Sequence, residues 1–505
     1  MSGLVAPASA RLNAPVLGGI KDRGVPVPEY DRAGLVTGIV HLGVGGFHRS
    51  HQAMVVDRLL SDGRAREFAI CGIGVLEQDR RMAAVMAEQD GLYTLVLKHA
   101  DGSREARVIG SIVDYLYAPD DPDVVVERLA SPDTRIVSLT VSEGGYNRDP
   151  VSGDFLSSDP GVQHDLSHPQ SPRTVFGLVV AGLRRRRDRG LGPFTVMSCD
   201  NLAHNGRIAR DSFTTFARLL DPDLGAWVAD QVRFPSSMVD RITPVTSEDD
   251  RIGTRDTLGV EDAWPVVAEP YFQWVVEDDF AAGRPPFDEA GVQVVADVGP
   301  WEQMKLRLAN GGHQAMCHVG VLAGFRYAHE AAADPGIAAY LTAYLDAEAA
   351  PTLEVVPGLG LDAFKGALLD RWRNPAIADT LDRIRTDSSD RLPAWLLPVV
   401  VDNLATGGPV RASAVACAAW AHACEGRDDE GRPLAILDRA AAELSRRAAA
   451  QPENPAAFLE DRSLFGDLVD APRFRSAFLE ARASLVGVGA LATVAAFRSE
   501  AARWD

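Results

Sequence analysis

A chain of 505 residues is long enough for two large domains, and 46% hydrophobic with 24% charged residues is the balance of a folded globular protein. Lys and Arg number 51 against 70 Asp and Glu, a formal net charge of −19. Proteins that coat nucleic acid or an anionic membrane need clustered positive charge, so neither partner is expected.

The first half alternates strand-like and helix-like segments. GIVHLGVGG (38–46) is a short apolar run closed by glycines, and 47–62 carries Met54, Val55, Leu59 and Leu60 at helical spacing. FAICGIGVL (68–76), RIVSLTVSEGG (135–145) and FTVMSCDN (194–201) read as further strands, with 146–170 as a surface excursion rich in Asp, Ser and Pro. Val- and Ile-rich strands separated by helices imply a parallel sheet covered on both faces.

The last clear strand is VQVVADV (292–298). Beyond Pro300 the chain is rich in Ala and Leu with helical periodicity, as in 376–384 and 433–450, and Gly358, Gly360, Gly366, Pro393 and Pro398 are expected to divide it into separate helices. The expected architecture is an α/β domain over 1–296 followed by a mainly α-helical domain over 297–505. No repeat of 20–50 residues stands out.

Chemistry first appears at Gly43-Val44-Gly45-Gly46. An apolar strand enters the turn and a helix leaves it, the context of a dinucleotide-binding loop. Gly43 permits a tight turn, and Gly45 lets backbone amides approach a pyrophosphate at the helix N-terminus. His48 stands where the third glycine of GxGxxG belongs, so a strand–helix turn without a ligand remains a competing reading. The second strand ends near Glu77 and Asp79, carboxylates suited to ribose hydroxyls, while Arg80 and Arg81 suit a 2′-phosphate. NAD is favoured over NADP. His41, His48 and His51 crowd the turn, as packing residues or, for His48 and His51, as donors to the pyrophosphate.

The second segment with chemistry is GPWEQMKLRLANGGHQAMCHVG (299–320). Pro300 suits the start of a helix and Glu302 its first turn. On an ideal α-helix Lys305 lies about 80° from His313 and about 140° from Asn310, so Gly311-Gly312 or the surrounding fold must bring them together. Oxidising a secondary alcohol needs a base for the hydroxyl proton and donors that hold the alkoxide-like oxygen. A lysine serves as base only where burial or nearby positive charge lowers its proton affinity. Each residue alone also fits a surface lysine, a capping asparagine and a core histidine.

Six blocks taken in order, GxGGFHRxHQ, TVSEGGYN, SCDNLxxNG, DRITPxT, EPYFQWVVEDDF and KLRLxNGGHQ, resemble the polyol-specific long-chain dehydrogenases, the mannitol dehydrogenase family, from about residue 35 to 400. That resemblance implies a Rossmann-type N-terminal domain, a mainly helical C-terminal domain and a metal-free site. It implies hydride transfer between a polyol and NAD, most simply D-mannitol to D-fructose. A fructuronate reductase, or a dehydrogenase of D-arabinitol or sorbitol, is the alternative. By position, Lys305 matches the general base, and Asn201 and Asn310 match the carboxamides that hold the reacting oxygen. His313 and Asp240 match residues that orient the substrate and support the lysine, and Glu302 an acid that relays protons. Gly43, Gly45, Gly46 and Phe47 match the dinucleotide loop, Asp79 the ribose contact, and Arg383 an arginine touching distal hydroxyls. Ala309 stands where relatives often carry Leu.

Other chemistries are poorly served. His313, Cys317 and His318 cluster, but no further Cys or His is spaced to complete a zinc tetrahedron. The five cysteines are odd in number and include no CxxC pair, so neither disulfides nor thiolate metal sites are expected. No GxSxG elbow or Walker A motif occurs, and the arginine run at 183–190 reads as a solvated helix end. The N-terminus lacks the features of a secretory signal, and no 18-residue apolar run appears. The expected setting is the reducing cytoplasm. Oligomeric state is left open.

Overall fold

A computed structural model describes residues 10–149, 153–356 and 358–501. The chain divides into two compact units, Met1–His99 with Ser103–Gly299, and Ala100–Gly102 with Pro300–Asp505.

The first unit is built on five parallel strands: β1 (Thr37–Leu42), β2 (Ala69–Gly74), β5 (Ile112–Tyr117), β6 (Ile136–Leu139) and β7 (Thr195–Ser198), in spatial order β5-β2-β1-β6-β7. Strand order reverses across β1, so the crevice beyond the carboxyl ends of β1 and β6 is the switch point where such sheets hold ligands. Side chains alternate between two cores. Val40, Leu42, Val137 and Leu139 pack against Val125, Leu129, Leu178 and Phe213 on one face. Ile39, Ile70 and Ile136 pack against Met54, Val55 and Leu59 on the other. Two of the helices that cover the first face begin at side-chain caps: Asp121 before Pro122–Ala130 and Thr174 before Val175–Asp188.

Six strands escaped the reading of the sequence. β5 is one; the other five, joined by the strand expected within 292–298, build two small sheets. β3 (Tyr93–Lys98) lies between antiparallel β4 (Arg104–Ile109) and parallel β9 (Val266–Ala268). β10 (Gln273–Glu277) lies between antiparallel β8 (Ser237–Asp240) and parallel β11 (Gln293–Val295). Trp274, Val239, Leu95 and Val266 carry both sheets into the second core. Of the expected surface excursion at 146–170, residues 150–152 lie outside the described residues; in the rest Tyr146 and Val162 are buried, and Asp159 caps a helix over Pro160–Ser167.

The second unit is helical, with bounds that differ from the periodicity. The helix expected over 376–384 is confined to Leu381–Arg385, because Ala378 has a positive φ and Thr380 bridges Tyr327. That expected over 433–450 is confined to Ala441–Ala449. Gly366 does not break a helix. It lies inside Leu361–Trp372, where burial of Phe364, Leu368 and Trp372 outweighs a glycine cost of about 1 kcal/mol. Among the described residues no single helix is long and apolar enough to cross a membrane.

Candidate active site

In the first unit the glycine turn leaves the carboxyl end of β1. Gly43 has φ +94°, and a Cβ there would overlap the Thr140 carbonyl at the end of β6. Only glycine satisfies both conditions. The Gly45 N–H donates to the Gly43 carbonyl at 2.7 Å, which tightens the bend. Gly45 is extended and faces open space, its notional Cβ meeting nothing nearer than 3.9 Å. Gly46 opens a helix over Gly46–Ser50, and Phe47 stacks on His51 with ring centroids 4.7 Å apart.

The three histidines lie beneath the turn, not on it. His41 bridges Ser138 Oγ (2.8 Å) and Thr140 Oγ1 (2.9 Å), and His48 stacks on it with centroids 3.4 Å apart. His51 Nε2 bonds the Gln273 carbonyl at 3.0 Å. All three are buried, and burial lowers their proton affinity: His41 and His51 fall to about 3, and His48 falls well below its ordinary value. Neutral and enclosed, they pack the turn, and a role for His48 or His51 as pyrophosphate donor has no support in this geometry.

Asp79 closes the turn after β2. Its Oδ2 accepts from the Val75 and Leu76 amides, both at 2.9 Å. Arg80 is paired with Asp120 and lies over Tyr117, and Arg81 lies over Trp264. Asn201 follows the end of β7, and Asp240 is the buried last residue of β8. Next to Asp240, Arg241 donates to the Ser50 carbonyl (2.7 Å) and the Glu269 carbonyl (3.0 Å), and burial lowers it to about 10.

In the second unit the helix that carries Lys305 is interrupted. An α segment over Gly299–Lys305 passes into a π turn over Leu306–Asn310 and returns to α over Gly311–Leu322. The π turn adds one residue to the winding and rotates everything after it back by roughly 100°. The angle from Lys305 to Asn310 falls from about 140° to about 40°, and His313 comes within about 20° of Lys305. This answers how three residues at awkward spacing share a face. Gly311 and Gly312 act differently: a Cβ on Gly311 would overlap the Tyr344 hydroxyl, and one on Gly312 would overlap the Trp372 ring. Trp372 in turn packs on His313, centroids 5.1 Å apart. Lys305 is 7% exposed, and Glu302 and Asn310 are similarly buried.

Comparison with known proteins places this architecture. Residues 37–289 match the family described as the mannitol dehydrogenase Rossmann domain, and 297–486 match the mannitol dehydrogenase C-terminal domain. The chain belongs to the mannitol dehydrogenase family. It is 44% identical to the mannitol 2-dehydrogenase of Neosartorya fischeri over 469 residues, covering 91% of this chain and 93% of that one. Among solved structures, Pseudomonas fluorescens mannitol 2-dehydrogenase in ternary complex with NAD and D-mannitol superposes with TM-score 0.89 at 41% identity, covering 97% of this chain and 100% of that chain. A D-sorbitol dehydrogenase in substrate-free form superposes with TM-score 0.87 at 35% identity, covering 96% and 100%.

Within this family chain, Arg383 is half-exposed and its guanidinium forks onto the buried Asp379 carboxylate. His318 bonds Ser388 Oγ at 2.9 Å and Cys317 is buried. Among the described residues no group of three or more His, Cys, Asp or Glu side chains is placed to hold a metal ion.

Sequence reasoning missed Asp200. Its carboxylate accepts from the Val141 and Ser142 amides (3.1 and 2.9 Å) and from the Tyr146 hydroxyl (2.8 Å), tying the loop after β6 to the loop that carries Asn201. Ser142, Asn147 and His204, all with positive φ, cluster in these two loops, the kind of strain that persists where surrounding structure enforces it. The available signal was the pairing of the TVSEGGYN and SCDN blocks.

Proposed function

We propose that this chain is an NAD-dependent polyol dehydrogenase that converts D-mannitol to D-fructose, with Lys305 as general base. The observation that carries the reading is the π turn, which sets buried Lys305 on one face with Asn310 and His313. The first unit fits a dinucleotide: Gly43 and Gly45 leave a backbone cradle that opens into Gly46 and Phe47, and Asp79 stands at the end of β2 for the ribose. Arg80 and Arg81 are engaged by Asp120, Tyr117 and Trp264, which supports NAD over NADP.

Bound NAD supplies a hydride acceptor. Lys305 Nζ takes the proton of the substrate hydroxyl. The carboxamides of Asn201 and Asn310 donate N–H bonds to the oxygen as negative charge grows on it. Glu302, three residues before Lys305 in the same α segment, passes the proton onward. His313 and Asp240 orient the remaining hydroxyls. Base and donors are all side chains, so the reading assigns no role to a metal. The cation of Arg383 is compensated by Asp379, which favours a neutral sugar over a uronate carboxylate. Five free, buried cysteines support work in a reducing compartment such as the cytoplasm.

Initial rates on mannitol, sorbitol, arabinitol, fructose and fructuronate with both cofactors test the reading. Mannitol with NAD, and fructose with NADH, are expected to be fastest. A preference for fructuronate, or for NADP, defeats it.

A further inference from the structure

The π turn needs a device to hold it, since an i→i+5 turn inside an α-helix is the less stable winding. In an unbroken helix the Gly311 N–H would bond the Arg307 carbonyl; here it reaches Leu306. The Arg307 carbonyl instead accepts the Tyr344 hydroxyl at 2.9 Å. Tyr344 is fully buried and begins a second π turn, Tyr344–Ala349. That turn is itself fastened: Glu348 accepts from the Ala412 amide (2.6 Å) and from the Ser413 amide and hydroxyl (2.8 and 2.6 Å), at the head of the helix Arg411–Ala423. Asn403 donates to the Glu348 carbonyl at 2.8 Å. Room for the hydroxyl exists because residue 311 has no Cβ.

We propose that Tyr344 is a positioning residue for the dehydrogenase reaction: its hydroxyl, seated against Gly311, takes up the Arg307 carbonyl, holds the π turn and thereby sets Asn310 and His313 against Lys305. Burial raises the proton affinity of the phenol far above the ordinary range, so the hydroxyl remains a donor at every working pH. Without it, the Arg307 carbonyl loses a buried partner, and rewinding to α re-forms the Gly311–Arg307 bond. That rewinding swings Asn310 and His313 off the face of Lys305. The inference rests on the proposed polyol chemistry and adds a residue that touches neither substrate nor cofactor.

The test compares the wild-type protein with Tyr344→Phe, which removes one oxygen. Turnover is normalised to NAD bound, so that only folded molecules count. The expected result is a fall in kcat with mannitol of about tenfold or more, because small misplacements of reacting groups are costly. The KM for NAD stays unchanged, and the primary isotope effect on C2-deuterated mannitol rises. An unchanged normalised kcat and isotope effect overturns the proposal, whatever happens to Tm. A second pair of variants guards against misfolding. Gly311→Ala lowers Tm because its methyl meets the hydroxyl, and adding Tyr344→Phe relieves that overlap and recovers part of the lost Tm but not turnover. Turnover restored in the double variant also overturns the proposal. Absence of polyol turnover in the wild-type protein defeats the parent reading instead, so the two failures are distinguishable.

Discussion

Two glycine clusters flank the residues of the proposed chemistry, and each needs glycine for an opposite physical reason. At Gly43 the requirement is conformational: φ is +94°, and the strand end lies against the Thr140 carbonyl. At Gly311 the backbone is ordinary right-handed helix, φ −60° and ψ −41°, and the requirement is volume, because Tyr344 occupies the space of a Cβ. The first cluster shapes a loop for a ligand, whereas the second lets neighbouring side chains impose a winding on a helix. A glycine pair in a sequence therefore does not say which kind it is.

Three substitutions separate the two regions. Lys305→Ala is expected to cost about a thousandfold in kcat with mannitol while NAD still binds, since a general base contributes roughly 10²–10⁴. Small amines are expected to restore part of the rate. Full turnover by Lys305→Ala removes the lysine from the mechanism. Gly43→Ala is expected to cost on the order of 3 kcal/mol of stability, combining a left-handed φ with a backbone overlap, and to abolish NAD binding. Thermal unfolding and NAD titration read both effects. Gly312→Ala, which overlaps only the tip of Trp372, is expected to cost about 2 kcal/mol by overpacking and to leave NAD affinity intact. If it weakens NAD binding as much as Gly43→Ala does, the contrast between the regions is wrong.

Four of the five strands of the central sheet were legible because β1, β2, β6 and β7 are apolar runs bounded by glycines and polar turns. β4, with Arg104, Glu105 and Arg107, and three-residue β9 carry no such signature; their pairing is set by partners distant in sequence. Lys305, Asn310 and His313 were legible as residue types, but their shared face was not. A propensity for π winding is written nowhere in LRLAN; the hydroxyl that meets its Arg307 carbonyl belongs to Tyr344, 37 residues away in the chain. Asp200 was hidden for a related reason: its partners Val141 and Ser142 offer only backbone amides.

A milder probe of the glycine turn is Gly45→Ala. Its extended backbone suits any residue, and its notional Cβ meets open space, so Tm is expected to hold while NAD affinity drops by about tenfold through lost close approach. A fall in Tm matching that of Gly43→Ala would show that the turn is tight throughout.

The smallest effect is a pH dependence that both regions share. His51 beneath the glycine turn and His318, on the α segment that continues the Lys305 helix, are both held near 3 by burial, against an ordinary 6.5. Below pH 6.5 the unfolded chain takes up protons that these folded sites refuse, so their contribution is intact above 6.5 and is lost progressively as pH falls toward 3. Each histidine steepens the loss by roughly 1 kcal/mol per pH unit once its unfolded form is protonated. The effect is read most cleanly above about pH 5, before carboxylates titrate. His51→Gln and His318→Gln are each expected to flatten the dependence of Tm on pH between 6.5 and 5. A variant whose slope there equals that of the wild-type protein places its histidine in contact with solvent protons, and the packing described around that ring is then wrong.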